Sequence, residues 1–224
     1  VAVLYKKNVH KEQGNYDAPF KKYEADNLTV GIEDELTFGK FKTVIGASYD
    51  RLVPVYVDDA DVPNDISTYN GHIGLAYNIK ENTSIRLNIS RKSRFPTLKE
   101  LYAEAGGRFI ANPDLSTEHS INTELGIRIS GLNNFDIDGA VFYNNVTDLI
   151  QVKYLPQSQQ QFQNIGKAVF AGFEAGVSWK SNNIKSNLNY TFLHASNESD
   201  DAETDKLEYR PKHQVNLLGT FYWI

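Results

Sequence analysis

The 224-residue sequence contains no cysteine and no methionine. Without cysteine there is no disulfide, no thiolate metal site and no cysteine nucleophile. Tryptophan occurs only twice and proline is sparse, at 7 residues. No apolar run approaches the roughly 18 residues of a membrane-spanning helix. No signal-peptide pattern is present. Acidic residues outnumber basic ones, 28 to 23, and the net charge of −5 removes the basic face that general nucleic-acid binding needs. The five histidines, His10, His72, His119, His194 and His213, are scattered. No P-loop, HExxH or Ser/His/Asp order is visible, so neither catalysis nor a cofactor is expected. At 41% hydrophobic and 23% charged, the chain is neither a disordered tail nor collagen-like.

What the chain does have is aromatic residues in alternating patterns. Tyrosine (13) and phenylalanine (12) are abundant. Ile73, Leu75, Tyr77 and Ile79 alternate with His72, Gly74 and Asn78. Ile85, Leu87 and Ile89 alternate with Ser84, Arg86, Asn88 and Ser90, and Leu125, Ile127 and Ile129 with Glu124 and Arg128. Phe173, Ala175, Val177 and Trp179 face Glu174, Ser178 and Lys180; Leu188, Tyr190 and Phe192 face Asn187, Asn189 and Thr191. Period-2 runs of this kind predict strands with one apolar and one polar face.

The connections alternate in length. Short turns are predicted at Gly39-Lys40, Glu81-Asn82, Asn133-Asn134 and Asn182-Asn183, where asparagine tolerates positive φ. Long polar stretches fall at about 8–22, 52–66, 93–118, 155–161 and 194–208. The expectation is about ten antiparallel strands, several of 10–13 residues, with 135–154 and 162–180 longer still. Long strands, short turns on one rim and long loops on the other predict an all-β antiparallel transmembrane β-barrel segment. Aromatics near strand ends (Tyr49, Tyr77, Tyr143, Trp179, Phe192, Tyr222 and Trp223) fit an interfacial girdle. Alternation alone also fits a soluble β-sandwich binding module.

Residues 94–126 carry a more specific pattern. Arg94-Phe95-Pro96-Thr97-Leu98-Lys99-Glu100-Leu101-Tyr102 is followed by Asn112-Pro113-Asp114-Leu115-Ser116-Thr117-Glu118, then Thr123-Glu124-Leu125-Gly126. This resembles the FRAPTxxELY…NPxLxPE…ELG region of TonB-dependent outer-membrane receptors. Phe142-Tyr143-Asn144 with Asp148-Leu149-Ile150, Asn164-Ile165-Gly166-Lys167-Ala168 with Gly172-Phe173-Glu174, and Tyr190-Thr191-Phe192 with Arg210-Pro211-Lys212-His213 are similar to later motifs of that family, in its order. Residues 1–93 match only in strand style. The spelling at 94–96 departs from the family's Phe-Arg-Ala-Pro. The histidine that haem-transporting members carry between the two blocks is missing from 96–111, and His119 lies beyond them.

The resemblance implies an outer-membrane location in a Gram-negative bacterium, with lipid and lipopolysaccharide around the wall. It implies uptake of a small scarce ligand such as a ferric siderophore, driven by TonB through a plug domain, with no chemistry done on the ligand. The expectation is a single partial barrel domain over 1–224, without a plug or TonB box. A passive porin-like or adhesive barrel remains the alternative within the same architecture.

Candidate site residues follow from charge and position. Arg91, Lys92, Arg94 and Lys99 cluster where a strand enters the longest loop and suit charge-assisted bonds to an anionic ligand or to lipopolysaccharide phosphates. Tyr102 and Arg108 in the same loop complete the ligand-binding set with Arg91, Lys92 and Arg94. Thr97 and Glu100 form a capping box that predicts a short helix burying Leu98, Leu101, Tyr102 and Ala105, ended by Gly106-Gly107. In the barrel reading Arg86, Glu124, Arg128 and Glu174 face the lumen, the carboxylates as partners of the arginines. Asp58, Asp59, Asp61 and Asp65 are oxygen ligands at close spacing, as is a second acidic run from Glu198 to Asp205. Neither has the mid-loop glycine and terminal glutamate of a calcium hand, and solvated loop charge is the expectation for both.

Overall fold

A computed structural model describes residues 1–58, 61–164, 166–199, 207 and 210–223. The wall is one sheet of ten antiparallel strands in consecutive order. They are β1 (Ala2–Glu12), β2 (Lys21–Phe38), β3 (Phe41–Val57), β4 (Ile66–Lys80), β5 (Thr83–Arg94), β7 (Glu118–Leu132), β8 (Phe135–Thr147), β11 (Lys167–Lys180), β12 (Ile184–Asn197) and β13 (His213–Phe221). Between β5 and β7 lie a short helix α1 (Leu98–Tyr102) and the two-residue β6 (Phe109–Ile110). Between β8 and β11 lie β9 (Ile150–Leu155) and β10 (Gln159–Asn164), which join β6 in a separate three-stranded sheet.

The four short turns fall where the sequence places them. Asn133 and Asn134 both take positive φ, 49° and 70°, the left-handed pair that a two-residue hairpin demands. All four share one rim, because each joins a strand running away from the long loops to the next one returning. The loop hairpin corrects the sequence reading of 135–154 and 162–180 as uninterrupted strands. Asp148 turns left-handed (φ 57°) and Gly166 likewise (φ 89°), so the wall strands end there. The stretch 155–161, expected to be a long connection, contains the tight bend of that hairpin at Pro156–Ser158.

Cross-strand register sorts the side chains into two faces. Thr43, Leu75, Leu87, Leu125, Val141, Phe173 and Phe192 lie opposite one another along a single row. The neighbouring residues form polar rows, such as Ser84, Arg128, Asp138, Gly176, Asn189 and Asn216. Among the described residues nothing packs over the apolar face: Leu125, Val141 and Leu217 are 49%, 55% and 75% exposed. A soluble sandwich would cover that face with a second sheet, and the described residues supply none. Tyr49 packs against Tyr69 with ring centroids 5.1 Å apart and Phe41 against Tyr77 at 4.7 Å, both pairs tilted, marking two levels on this face. Tyr69 and Tyr77 are eight residues apart on β4, about 27 Å at ~3.4 Å per residue. That separation suits an apolar band about 25 Å tall between aromatic girdles.

The sheet is open. Among the described residues β1 pairs only with β2, and β13 only with β12. A compact apolar cluster lies at the loop rim, where Tyr23, Ala25, Leu52 and Val57 of the wall meet Leu98, Leu101, Tyr102, Leu115 and Ile150 of the loops.

Candidate functional site

Two constructions on the polar face position functional side chains: an ion network in the wall and a strap across it. In the network, Arg86 on β5 reaches two strands away. Its Nη1 and Nη2 donate to both Asp138 carboxylate oxygens, at 2.8 and 3.0 Å, and its Nε donates to Glu124 Oε1 at 3.2 Å. Gly126 makes the reach possible, since a Cβ there would lie 2.7 Å from Arg86 Cζ. Arg128 Nε donates to the same Asp138 at 3.2 Å. Arg86, Glu124 and Arg128, singled out from the sequence, are therefore brought together. Glu174 shares their face opposite Ala140 but has no ion-pair partner among the described residues. Asp138 was not foreseen. Its signal was the even-numbered pair Asp136 and Asp138 on the polar side of β8, but the partner was set by a register that sequence does not display.

The strap is the segment after β5. Thr97 caps α1: the Glu100 N–H donates to Thr97 Oγ1 at 3.2 Å, and Glu100 Oε2 accepts from the Thr97 N–H at 2.7 Å. The helix ends at Tyr102, short of Ala105, and Gly106 and Gly107 then take positive φ. Its apolar side packs on β1 and β2, although the chain has just left β5. Tyr102, 6% exposed, stacks flat on Tyr23, 3% exposed, with centroids 4.5 Å apart and planes 3° from parallel. Beyond the helix, the Glu104 N–H donates to Glu12 Oε1 at 3.0 Å, and Lys21 Nζ pairs with Glu104 at 2.8 Å.

Arg94 anchors the near end of the strap. Its guanidinium is bidentate to Glu118, both contacts at 2.7 Å, and bidentate to Glu100 at 2.8 and 3.1 Å. Glu118 Oε1 also accepts from the Ile150 N–H at 2.6 Å, so one cluster ties together β5, α1, β7 and β9. Burial pushes the Glu100 carboxyl up, but the Arg94 pair and the Thr97 N–H outweigh it and hold Glu100 below its ordinary range. Burial pushes the Tyr102 phenol up.

The five residues proposed from the sequence for ligand contact do not form one site. Arg94 is held by two carboxylates, and Tyr102 is buried in the rim cluster. Arg91 shares the face of Leu87 and Ile89, where it donates to the Tyr69 carbonyl and lies 3.2 Å from His119 Nδ1. Lys92 has the opposite parity, and Arg108 is exposed beside β6. The parity of Arg91 was readable from Ile85, Leu87 and Ile89.

The acidic loop is dispersed. Asp58 accepts from the Lys22 N–H at 2.6 Å and from the Tyr56 hydroxyl; hydrogen bonding from Tyr56, then from the Lys22 backbone, holds its carboxyl low. Asp65 pairs with Arg51, and Asp61 has no ion-pair partner among the described residues. Asp59 and the run 200–205 lie outside the described residues, among which no three acidic or histidine side chains converge as metal ligands would.

A cleft of about 490 Å³ lies between the strap and the wall. Lys6, Asn8, Asn27, Thr29 and Asp50 line the wall side, and residues 93–99 line the other. A wider hollow of about 730 Å³ on the same face holds the Glu33–His72 pair, 3.0 Å apart.

Residues 6–224 match the family model described as TonB dependent receptor-like, beta-barrel. The fold is similar to that of the FrpB iron transporter from Neisseria meningitidis (F3-3 variant), with TM-score 0.64 and 21% identity over 80% of this chain and 27% of that one. It is also similar to the ferric-catecholate import receptor Fiu from E. coli K12, with TM-score 0.65 and 15% identity over 91% of this chain and 33% of that one. A third similar structure is the copper transporter OprC, with TM-score 0.68 and 18% identity over 82% of this chain and 31% of that one. The chain thus spans a third or less of the length of these structures.

Proposed function

The chain belongs to the TonB-dependent receptor β-barrel family, and from that premise we propose that it forms wall and outer loops of an active importer for a scarce metal chelate, a ferric siderophore foremost. The observation that carries this reading is the family match over residues 6–224. The iron and ferric-catecholate proteins among its structural neighbours support the choice of ligand, and the copper transporter keeps the metal itself open to test.

The family resides in the outer membrane of Gram-negative bacteria. There the uncovered apolar face meets lipid, and the polar face, with Arg86, Glu124, Arg128 and Glu174, lines the lumen. Arg91, on the lipid side near the loop rim, is placed toward lipopolysaccharide headgroups. Ligand contact falls first to Lys92 and Arg108, whose charged groups have no ion-pair partner among the described residues. No bond in the ligand is made or broken. Binding at the loops precedes passage, and TonB supplies the work through a plug inside the ring.

The test is uptake of radiolabelled ferric chelates by cells expressing the intact receptor, with TonB present or deleted. Accumulation that requires TonB is expected. Equal accumulation in both strains would indicate a passive porin-like barrel and refute the proposal.

A further inference from the structure

The strap and the loop hairpin leave the wall separately, yet they build one sheet. β6 belongs to the strap, β9 and β10 to the hairpin, and β6 pairs with β10 in parallel, Phe109 opposite Gln160 and Ile110 opposite Gln161. Further ties flank that sheet. The Gln160 N–H donates to Arg108 O at 2.8 Å, Gln161 Nε2 to Ala111 O at 3.2 Å, and Asn112 Nδ2 to Phe162 O at 2.8 Å. Asn164 grips Ser116 as a strand neighbour would: its Oδ1 accepts from the Ser116 N–H at 2.9 Å and its Nδ2 donates to Ser116 O at 3.2 Å. The same Nδ2 donates to Asp148 O at 2.6 Å, and Glu118 Oε1 accepts from the Ile150 N–H, so the base of the hairpin is fixed to the end of the strap. Phe109 stacks on Phe162 with centroids 5.5 Å apart.

The attachments of this double loop to the wall are unequal. Its chain crossings, at Arg94, Glu118, Thr147 and Lys167, lie on β5, β7, β8 and β11, which are consecutive neighbours. Its opposite end rests on β1 and β2, with β3 and β4 between, and no backbone joins it there. That end is held by the Tyr102–Tyr23 stack, by Leu98 and Leu101 in one cluster with Leu52 and Val57, and by Glu104, which meets Glu12 and Lys21. Hinges absorb backbone rotation at a few element-terminal residues. Asp148 and Gly166 occupy such positions at the root of the hairpin, where the Asp148 N–H donates to Gly166 O at 2.6 Å.

We propose that strap and hairpin are a single flap, hinged along β5, β7, β8 and β11 and latched on β1 and β2 through Tyr102 and Glu104, which opens and closes as one unit. An opening that parted the two loops would unpair backbone groups of Arg108, Ala111, Ser116, Ile150, Gln160 and Phe162. Opening at the latch unpairs one backbone N–H among the described residues, that of Glu104. Sub-global opening follows cooperative units, and the boundary crossed by the fewest bonds is the latch. Asn164 is thereby a coupling residue: its bonds go to the strap and to the hairpin base, and through them release at Tyr102 reaches β9 and β10. The proposal goes beyond the transport reading and rests on it only for the outward placement of the loop rim.

The test is the distance between paired spin labels in the purified intact receptor, in detergent, without ligand or TonB. Labels enter by cysteine substitution, since these 224 residues contain no cysteine of their own. Lys11→Cys on β1 is paired with Arg108→Cys on the strap in one sample and with Lys153→Cys on the hairpin in another; all three positions are exposed. Each pair should give one narrow distribution with the latch intact. Tyr102→Ala should raise the ratio of open to closed flap on the order of 100-fold, so a longer distance appears in both samples in the same fraction. Tyr102→Leu should give smaller fractions, again equal. Adding Asn164→Ala to Tyr102→Ala should make the two fractions diverge, the strap opening more than the hairpin. A longer distance for the Arg108 pair alone in Tyr102→Ala, or no new distance in either pair, overturns the proposal. Fractions that stay equal after Asn164→Ala overturn the role given to Asn164. Independent loop motion would leave the uptake reading standing, and loss of TonB-dependent uptake would leave the flap standing.

Discussion

Removing the Tyr102 ring should release the strap without loosening the wall. Tyr102 and Tyr23 are almost fully buried, and their rings lie parallel at 4.5 Å. Truncating a buried aromatic to alanine costs about 3–5 kcal/mol, of which about 0.5–1.5 belongs to the ring pair itself. The cost falls on docking of 95–117, because the wall strands are held by their own ladders and Tyr102 belongs to none of them. At the lower figure, about 3 kcal/mol, the ratio of docked to undocked strap falls about 150-fold, since ~1.4 kcal/mol is a factor of ten. Tyr102→Leu keeps most of the apolar area and loses the stack, so its effect should be about 1 kcal/mol, near fivefold. Amide hydrogen exchange of the intact receptor in micelles reads both. The reporters are the Leu101 N–H bonded to Thr97 O at 3.0 Å and the Asn112 N–H bonded to Leu101 O at 2.8 Å. They should lose protection in the order alanine, leucine, wild type, while amides of β5 and β7 keep theirs. Unchanged exchange at Leu101 and Asn112, or an equal loss along β5 and β7, would refute the idea of a separately docked strap.

Two further outcomes are expected. Leu87→Arg places a charge on the apolar row, at about 2–4 kcal/mol near the middle of a bilayer, whereas Arg86→Leu removes a pairing on the opposite face and leaves Asp138 bonded to Arg128. Heat-modifiability on gels should therefore show far less assembled barrel for Leu87→Arg; equal yields would contradict the assignment of faces. Acidification should undock the strap through Glu100. Its folded pKa lies below the ordinary value, so its contribution is complete above the unfolded carboxylate pKa of about 4.3 and is lost as pH falls through the lower folded value. Strap protection that is steady from pH 7 to 5 and falls below about 4 fits this, while release near pH 6, abolished in Glu100→Gln, would contradict it.

Much of the wall could be read directly because it obeys local rules. Leu87 and Arg86 declare their faces by parity, Asn133-Asn134 declares a left-handed turn, and Thr97 with Glu100 declares a helix start. The features that escaped depend on register between distant residues. Glu118 meets Arg94 only because β7 returns alongside β5, and Asp138 meets Arg86 across the gap left by Gly126. The loop hairpin escaped for another reason. Its strands continue the alternation of β8 and β11, and the break at Asp148 rests on one backbone angle in a residue whose type tolerates it. Tyr102 has the composition of a ligand-stacking residue and became a packing residue because α1 docks on β1 and β2.

The open edges carry a rule of parity. β1 runs from the turn rim to the loop rim and β13 runs back, so Ala2 and Phe221 stand at the same rim. A ring in which every neighbour is antiparallel can be completed from these two edges only by an even number of further strands, since each must reverse the one before and the last must oppose β1. Circumference in such a wall changes two strands at a time, one hairpin per step, and each added hairpin bends at the loop rim. Growth of the ring and growth of its loop rim are thereby coupled: a wider lumen necessarily brings another loop to that rim.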